Sequence, residues 1–223
     1  VDSNIIATER LARFFSDKEL TRFIHISTSS VYGKYANGDE SSSLVPVSPY
    51  GVTKLAAEGL LNSYYASYGL PLVILRYFSV YGPGQRPDMA YRRFITSALK
   101  GEPLTIYGDG NQTRCFAHVY DVIDAVMAVA FSENTIGKVI NIGNDFEISI
   151  NNLAEKIIIE TGSMSKIVYV PYAEAYGDGF EDMERRVPNI GLINQLVGWQ
   201  PERELSTMIA DISVEMKKTL KAN

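Results

Sequence analysis

The sequence predicts an α/β protein built on a parallel sheet, because helical and strand-like patterns alternate along its first two thirds. Apolar residues at helical spacing over residues 4–15 precede a short apolar run, Phe23–Ile26, that is typical of a buried parallel strand. The same order then recurs in two further pairs: Tyr50–Tyr68 with Leu72–Phe78, and Val119–Phe131 with Lys138–Ile142. Alternation of this kind builds a parallel sheet with helices on both faces.

A second, smaller lobe is predicted where this alternation stops. Beyond Asp145 the sequence indicates mostly helices, with a single strand, in the order residues 151–161, strand 167–170, residues 190–197 and residues 205–220. We therefore expect residues 1–86 to form the sheet domain, with the chain returning to it near residues 117–143. Residues 87–223 are expected to form the mostly helical lobe.

Composition and charge narrow the classes of function. The net charge of −5 argues against a nucleic-acid surface, which needs clustered lysine and arginine to neutralise phosphates. Two histidines and one cysteine argue against a zinc site and exclude an internal disulfide, so we expect no metal. Apolar runs fall far short of the roughly 20 residues that a membrane helix needs. The start does not resemble a signal peptide, so the expected location is the cytoplasm.

Two hydroxyl-rich turns directly follow predicted strands. Ser27–Gly33 comes after the first strand and contains Thr28, while Ser79–Pro83 comes after the second. Ligands of open parallel sheets bind outside the carboxyl ends of the strands, so these turns are candidate binding segments. Their hydroxyl groups are suited to hydrogen bonding with a sugar.

A tyrosine and a lysine stand four residues apart in the predicted helix that follows the first turn. Ser48 is a candidate N-cap and Pro49 suits the first turn, so Tyr50 and Lys54 lie on one helical face. A phenol with a pKa near ~10 is a weak base at neutral pH, but a nearby ammonium stabilises the phenolate and lowers that pKa. With a hydroxyl from Thr28, the pair is suited to oxidation of an alcohol by hydride transfer. A lone Tyr-x-x-x-Lys spacing also occurs by chance, as a solvated lysine beside a packed tyrosine.

Four ordered motifs resemble the extended short-chain dehydrogenase/reductase family: Ser27–Gly33, Ser48–Lys54, Leu75–Pro83 and Tyr107–Arg114. The resemblance covers nearly the whole chain and implies a Rossmann-type sheet, bound NAD and a nucleotide diphosphate sugar as substrate. It places Thr28, Tyr50 and Lys54 at the catalytic positions. Tyr50 and Lys54 would also contact the cofactor, and Phe78 would lie beside the nicotinamide.

The residues after Thr28 bear on which sugar chemistry this resemblance implies. Dehydratases of the family resemble Thr-Asp-Glu there and UDP-glucuronate decarboxylases Thr-Ser-Glu, whereas this chain has Ser29 and Ser30. A 4-epimerase needs no extra carboxylate, and the chain resembles epimerases of UDP-glucose or UDP-glucuronate. A decarboxylase or a dehydratase remains an alternative. So does a non-catalytic fragment that only binds a nucleotide sugar.

Several residues are expected to bind the substrate. Ser29, Ser30 and Ser79 would contact the sugar, and Arg86 would pair with a C6 carboxylate, unless it forms a surface salt bridge with Asp88. Arg114, together with Arg186 or its neighbour Arg185, resembles the family positions that hold the diphosphate, and guanidinium forks suit phosphate oxygens. Cys115 replaces an aspartate that relatives usually carry, and a buried free cysteine is the expected outcome.

The sequence contains no glycine-rich phosphate-binding turn of the Gly-x-Gly-x-x-Gly type. We therefore expect a preceding βαβαβ segment to be missing, and the chain alone to be inactive and to bind NAD weakly. Relatives commonly form homodimers through the helices that match residues 4–15 and 50–68. The resemblance thus implies a homodimer.

Overall fold

The computed structural model describes residues 1–34, 38–176 and 185–222, which form two compact units. The first unit comprises residues 1–78, 122–145 and 187–201, and the second comprises residues 79–121, 146–186 and 202–223. The boundary after Phe78 lies eight residues before the expected one. Phe78 N–H still donates to the Ile142 carbonyl at 2.9 Å, whereas Ser79 already accepts a bond from Ala117 of the second unit.

The first unit contains a three-stranded parallel sheet in the order β1-β2-β7. The strands are β1 (Phe23–Thr28), β2 (Leu72–Tyr77) and β7 (Lys138–Ile142), and Ser27 stands opposite Arg76 in the β1–β2 register. The helices are α1 (Ala7–Phe15), preceded by a π-helical turn at Asp2–Ile6, α2 (Pro49–Tyr68), α7 (Gly191–Val197) and most of α4 (Val119–Ala130). These elements confirm the predicted alternation of helix and strand. Residues 187–201 belong to this unit rather than to the second lobe, because α7 packs against β7.

Helix α2 forms where the local signals predict it. The Ser48 side chain accepts a hydrogen bond from Gly51 N–H at 3.1 Å, and Gly69 ends the helix with a φ of +70°. Helices α1 and α2 and the sheet share an apolar core, which holds α2 in place. This core is formed by Ala12, Leu61, Leu70, Leu72 and Ile74. The packing fixes the face of α2 that points toward β1 and β2.

The second unit has its own apolar core and three short two-stranded sheets. The pairs are β3 (Val80–Tyr81) with β6 (Ala117–His118), β4 (Leu104–Tyr107) with β9 (Ile167–Val170), and β5 (Thr113–Cys115) with β8 (Glu147–Ser149). Its helices are α3 (Ala90–Lys100), α5 (Ile150–Thr161), α6 (Tyr172–Tyr176) and α8 (Leu205–Ala222). The sequence predicted α5, α8 and β9 but missed α3, α6 and the five other strands. No helix within the described ranges is both long and apolar enough to cross a membrane.

The close approach of α2 to the end of β1 predicts opposite effects for two glycine substitutions on this helix. A Cβ at Gly51 would lie 2.7 Å from the Ser30 carbonyl oxygen, whereas a Cβ at the exposed Gly59 would meet nothing within 4 Å. We expect Gly51→Ala to lower the free energy of unfolding by roughly 1–3 kcal/mol, because backbone must move. Gly59→Ala should raise it by up to about 1 kcal/mol through helix propensity. Urea titration of both variants checks this, and equal effects would contradict the packing.

Candidate functional site

Helix α2 places its first turns against the carboxyl end of β1. Lys54 Nζ donates a hydrogen bond of 2.7 Å to the Ile26 carbonyl oxygen, and Gly51 lies against the Ser30 carbonyl. Tyr50 is one helical turn before Lys54, and half of its surface is exposed. The phenol and the ammonium therefore share a helical face that starts at the strand end carrying Thr28, and the phenol is accessible to a ligand.

The hydroxyl cluster after β1 forms a short 3₁₀ turn, Ser29–Tyr32. Thr28 Oγ1 accepts a hydrogen bond from Ser30 N–H and donates one to Ser30 Oγ, both at 3.2 Å. Thr28 and Ser29 are buried, and Ser30 is half-buried. These two hydrogen bonds to Ser30 orient the Thr28 hydroxyl, which caps the start of the 3₁₀ turn as an N-cap side chain caps a helix.

A buried charged network lies beneath this turn, and the sequence analysis missed it. Glu58 accepts hydrogen bonds from Arg76 Nη2 at 2.7 Å and from Arg76 Nε at 3.1 Å, and it also accepts one from Ser27 Oγ. Arg76 Nη1 donates to Tyr32 Oη at 3.0 Å, and Tyr32 donates to Asn141 Oδ1 at 2.7 Å. The sequence does carry one indication of this network, because Glu58 is an acidic residue one turn after Lys54, on the face that the helix buries.

Burial and charge change the pKa values of two groups beside this network. Burial lowers the pKa of Lys54 below its usual range, and the Glu58 carboxylate opposes that change. Burial, and then the charge of Lys54, lower the pKa of His25 to about 4. His25 is therefore neutral at physiological pH, which fits a packed side chain on β1 rather than a cation.

Polar groups converge on Tyr81 in the second unit. Burial raises the pKa of the Tyr81 phenol, while Arg114, a hydrogen bond from Ser79 and Arg186 act in the opposite direction. The charges of both guanidinium groups therefore act on this phenol. A cavity beside Tyr81 is lined by aromatic rings and by Arg93, Gln112 and Arg114. The second unit thus gathers three sequence-predicted residues, Ser79, Arg114 and Arg186, around one phenol.

Arg93 and its contacts in this cavity were not found from the sequence. Arg93 Nη2 donates to Tyr107 Oη at 2.9 Å, and Gln112 Nε2 donates to Tyr172 Oη at 2.9 Å. Arg93 lies on α3, and the helical spacing of Tyr91, Phe94, Ile95 and Ala98 was the signal that would have revealed that helix.

Two other arginines have acidic partners. Arg86 is exposed and pairs with Asp88 at 3.3 Å, so the geometry favours the surface salt bridge over a fixed carboxylate-binding role. Arg185 pairs with Glu147 at 2.9 Å through two of its nitrogens. Of the two neighbouring arginines, Arg186 is the one whose charge acts on Tyr81.

The remaining predicted positions are also located. Phe78 is buried directly after β2, next to the end of β7. Cys115 is a buried free cysteine. In the part of the chain that the structure describes, no group of three or more His, Cys, Asp or Glu side chains is placed to hold a metal ion.

Comparison with known proteins adds a family match. A family model described as NAD dependent epimerase/dehydratase matches residues 1–143. An uncharacterised UDP-glucose epimerase of Bacillus subtilis is 48% identical over 141 residues, which are 63% of this chain and 45% of that protein. A UDP-N-acetyl-alpha-D-glucosaminuronate decarboxylase of Bacillus cytotoxicus is 40% identical over 192 residues, covering 81% of this chain and 59% of the relative. The chain thus spans about half the length of these relatives.

Solved structures show the same fold. The crystal structure of UDP-glucuronic acid 4-epimerase from Bacillus cereus, in complex with UDP-glucuronic acid and NAD, matches with a TM-score of 0.87 and 37% identity. The match covers 97% of this chain and 68% of the crystallised one. The predicted α/β fold with a partial Rossmann-type parallel sheet is confirmed.

The depressed pKa of His25 predicts a loss of stability in acid. His25 takes up a proton near pH 6.5 when unfolded but near pH 4 when folded, so stability is present above pH 6.5 and is lost as the pH falls toward 4. From pH 7 to pH 5 the loss attributable to His25 is about 2 kcal/mol. Urea unfolding of the wild type and of His25→Gln at pH 8, 7 and 5 measures it.

The two proteins should differ in their pH dependence only below pH 7. Between pH 8 and pH 7 His25 is mostly neutral in both states, so this interval serves as the control. A wild type that loses no more stability than His25→Gln between pH 7 and pH 5 would contradict the assignment.

Proposed function

Since the chain belongs to the NAD dependent epimerase/dehydratase family, we propose that it carries the catalytic residues of a UDP-sugar 4-epimerase. The observation that carries this proposal is the hydrogen bond from Lys54 to the Ile26 carbonyl. It holds the Tyr50–Lys54 face of α2 at the strand end that bears Thr28. A cluster of this kind suits the removal of a proton from a sugar hydroxyl as hydride leaves the same carbon.

The residues present fit an NAD-dependent reaction at this strand end. Bound NAD would supply a reversible hydride acceptor for oxidation at C4 of the sugar. Tyr50, which is half-exposed, takes the proton of the C4 hydroxyl in its phenolate form and gives it back as the phenol, and Thr28 shares this proton by hydrogen bonding. The Lys54 cation stabilises the phenolate form from one turn away. Phe78, at the end of β2, is the proposed neighbour of the nicotinamide.

In the second unit, we propose that Arg114 and Arg186 bind the diphosphate of the substrate. The charges of both act on Tyr81, and Arg114 also lines the cavity with its aromatic walls. Guanidinium groups form bidentate hydrogen bonds with phosphate oxygens, and aromatic rings suit a nucleobase. Ser79, which forms a hydrogen bond with Tyr81, is proposed to contact the sugar, as are Ser29 and Ser30.

The substrate is proposed to be UDP-glucose or UDP-glucuronate. Thr28 is followed by Ser29 and Ser30, so this turn offers no carboxylate for eliminating water. Arg86 would contribute to the recognition of UDP-glucuronate only by leaving Asp88. A UDP-sugar decarboxylase is the second candidate, because a relative with that name is similar over 81% of the chain.

We also propose that the chain forms a homodimer through α1 and α2. Apolar and aromatic side chains are exposed on both helices: Leu11, Phe14, Tyr65 and Tyr68. Large exposed apolar residues on neighbouring helices favour an interface. A monomeric mass by sedimentation equilibrium would rule the dimer out. A cytoplasmic location stays an expectation from the sequence.

Replacing the phenol tests the catalytic proposal. We expect Tyr50→Phe to lower kcat/KM by at least about 100-fold, because general acid–base catalysis of this kind contributes that much or more. Tyr68→Phe, on the same helix and exposed, is the matched control and should change turnover little. Products from UDP-glucose and UDP-glucuronate with NAD are identified by NMR, and a C4 epimer is expected.

The assay uses two forms of the protein. One is the 223-residue chain, and the other carries a glycine-rich NAD-binding segment of a relative before Val1. A pentose product from UDP-glucuronate would favour the decarboxylase. No turnover in either form, with unimpaired folding, would contradict the enzyme and leave a nucleotide-sugar-binding role.

Titration with UDP tests the diphosphate site without turnover. Arg114→Gln and Arg186→Gln should each weaken UDP binding by roughly 10- to 100-fold, since each loses a charge-assisted hydrogen bond. Arg185→Gln is the matched control and should change the affinity less than about twofold, because Glu147 already pairs with Arg185. Calorimetry measures these constants, and a larger effect at Arg185 than at Arg186 would reverse the assignment.

A further inference from the structure

Lys54 and Glu58 stand four residues apart on α2, the spacing at which a lysine and a glutamate ordinarily form an ion pair. Tyr50, Lys54 and Glu58 follow one another at this spacing, so all three lie along one helical face. An ion pair between Lys54 and Glu58 would draw the ammonium away from Tyr50, toward the next turn. For Lys54 to stay beside Tyr50, the ammonium or the Glu58 carboxylate must have a stronger interaction with another partner.

In the structure each group has a different partner. Lys54 Nζ donates to the Ile26 carbonyl at 2.7 Å. The two oxygens of Glu58 accept hydrogen bonds from Nε and Nη2 of Arg76, the shortest at 2.7 Å, and from Ser27. Glu58 and Arg76 are only 2% and 3% exposed, so water competes little for these bonds.

We propose that Arg76 is a positioning residue for Lys54. By occupying both carboxylate oxygens of Glu58, Arg76 keeps this carboxylate from capturing the Lys54 ammonium. Lys54 then stays on the Ile26 carbonyl, two residues before Thr28 and one turn from Tyr50. The catalytic consequence rests on the proposed function, whereas the placement of Lys54 does not.

The geometry of strands β1 and β2 makes the pairing of Glu58 with Arg76 specific. Ser27 and Arg76 are opposite each other in the β1–β2 register, so a hydroxyl and a guanidinium reach the same carboxylate. The planar fork of arginine bonds to both oxygens of a carboxylate, which the point charge of a lysine cannot match. Glu58 is therefore held by two strands at once.

The other side of the Arg76 guanidinium is held as well. Nη1 donates to Tyr32 Oη at 3.0 Å, and Tyr32 donates to Asn141 Oδ1 at 2.7 Å. Asn141 belongs to β7, so the guanidinium is linked to all three strands of the sheet. Burial opposes the charge of Arg76, but its bonds with Glu58 and Tyr32 raise its pKa above the usual value. Arg76 therefore stays a fixed cation.

The titratable groups that interact electrostatically with Lys54 make its placement measurable. They are Glu58 on its own helix and His25 on β1, and His25 is neutral near pH 7 because its pKa is about 4. The Glu58 carboxylate raises the pKa of Lys54 against the effect of burial. A closer carboxylate would raise it further, so the pKa of Lys54 reports its distance from Glu58.

The test is a double-mutant cycle on the full 223-residue chain, without cofactor or substrate. The pKa of Lys54 is followed by NMR with ¹³C-labelled lysine, and its signal is assigned by its absence in Lys54→Met. We expect Arg76→Gln to raise the pKa of Lys54 by about 1, because Glu58 captures the ammonium. In a Glu58→Gln background, Arg76→Gln should change it by less than about 0.3.

The cycle separates positioning from two simpler explanations. If Arg76 acts only through its own charge, its removal raises the pKa of Lys54 equally in both backgrounds. If Arg76 only stabilises the fold, neither background shows a change. Either result overturns the proposal. Should Arg76→Gln fail to fold, Arg76→Lys keeps the cation but loses the fork, and a rise in the pKa of Lys54 is still expected.

Turnover supplies an independent readout. Arg76→Gln should lower kcat, because Glu58 then draws the Lys54 ammonium away from Tyr50. Adding Glu58→Gln to Arg76→Gln should restore part of this kcat with little change in KM, because the competing carboxylate is gone. A double variant no more active than Arg76→Gln alone would contradict a catalytic role for the placement. Absence of turnover in both wild-type forms, the 223-residue chain and the one that carries the NAD-binding segment, would contradict the proposed function but leave the titration valid.

Discussion

The ion pair between Glu58 and Arg76 connects helix α2 to the sheet, and the arrangement of the candidate site depends on it. A buried carboxylate needs a charged partner with good geometry, and removing one member of such a pair costs several kcal/mol. Here the carboxylate comes from α2 and the guanidinium from β2, while Ser27 of β1 adds a third bond. The pair thus fixes how α2 lies on the two strands whose ends carry Thr28 and Phe78.

The chemistry divides between the two units of the chain. In the first unit, Thr28 and the Lys54 ammonium lie at the end of one strand and Tyr50 is one helical turn from Lys54; proton transfer is proposed there. In the second unit, aromatic rings and Arg114 line a cavity with Tyr81, and Arg186 acts on this phenol through its charge; the diphosphate and the base are proposed to bind there. Each part rests on its own core, so substitutions that disturb binding and those that disturb proton transfer are separable by experiment.

Much of the fold was predictable because long periodic segments carry their own signal. Helix α2, with its Ser48 cap and its Gly69 terminus, and the apolar strands β1, β2 and β7 were predicted to within three residues. The strands β3, β5, β6 and β8 have only two or three residues, too few to show an alternating pattern. Their existence depends on partners far along the chain. Arg93 was missed for a different reason, since the helical spacing of α3 was present in the sequence but was not recognised.

The sequence by itself determined that Tyr50 and Lys54 share a helical face, because four residues make about one turn of any α-helix. It also determined that Thr28 lies at the end of a buried strand, because an apolar run ends two residues before it. Only the tertiary structure decided which cation Glu58 pairs with, and therefore where the Lys54 ammonium points. It likewise decided that the charge of Arg186 rather than that of Arg185 acts on Tyr81. Such choices depend on which side chains the packed chain brings within hydrogen-bonding distance, and local periodicity does not encode them.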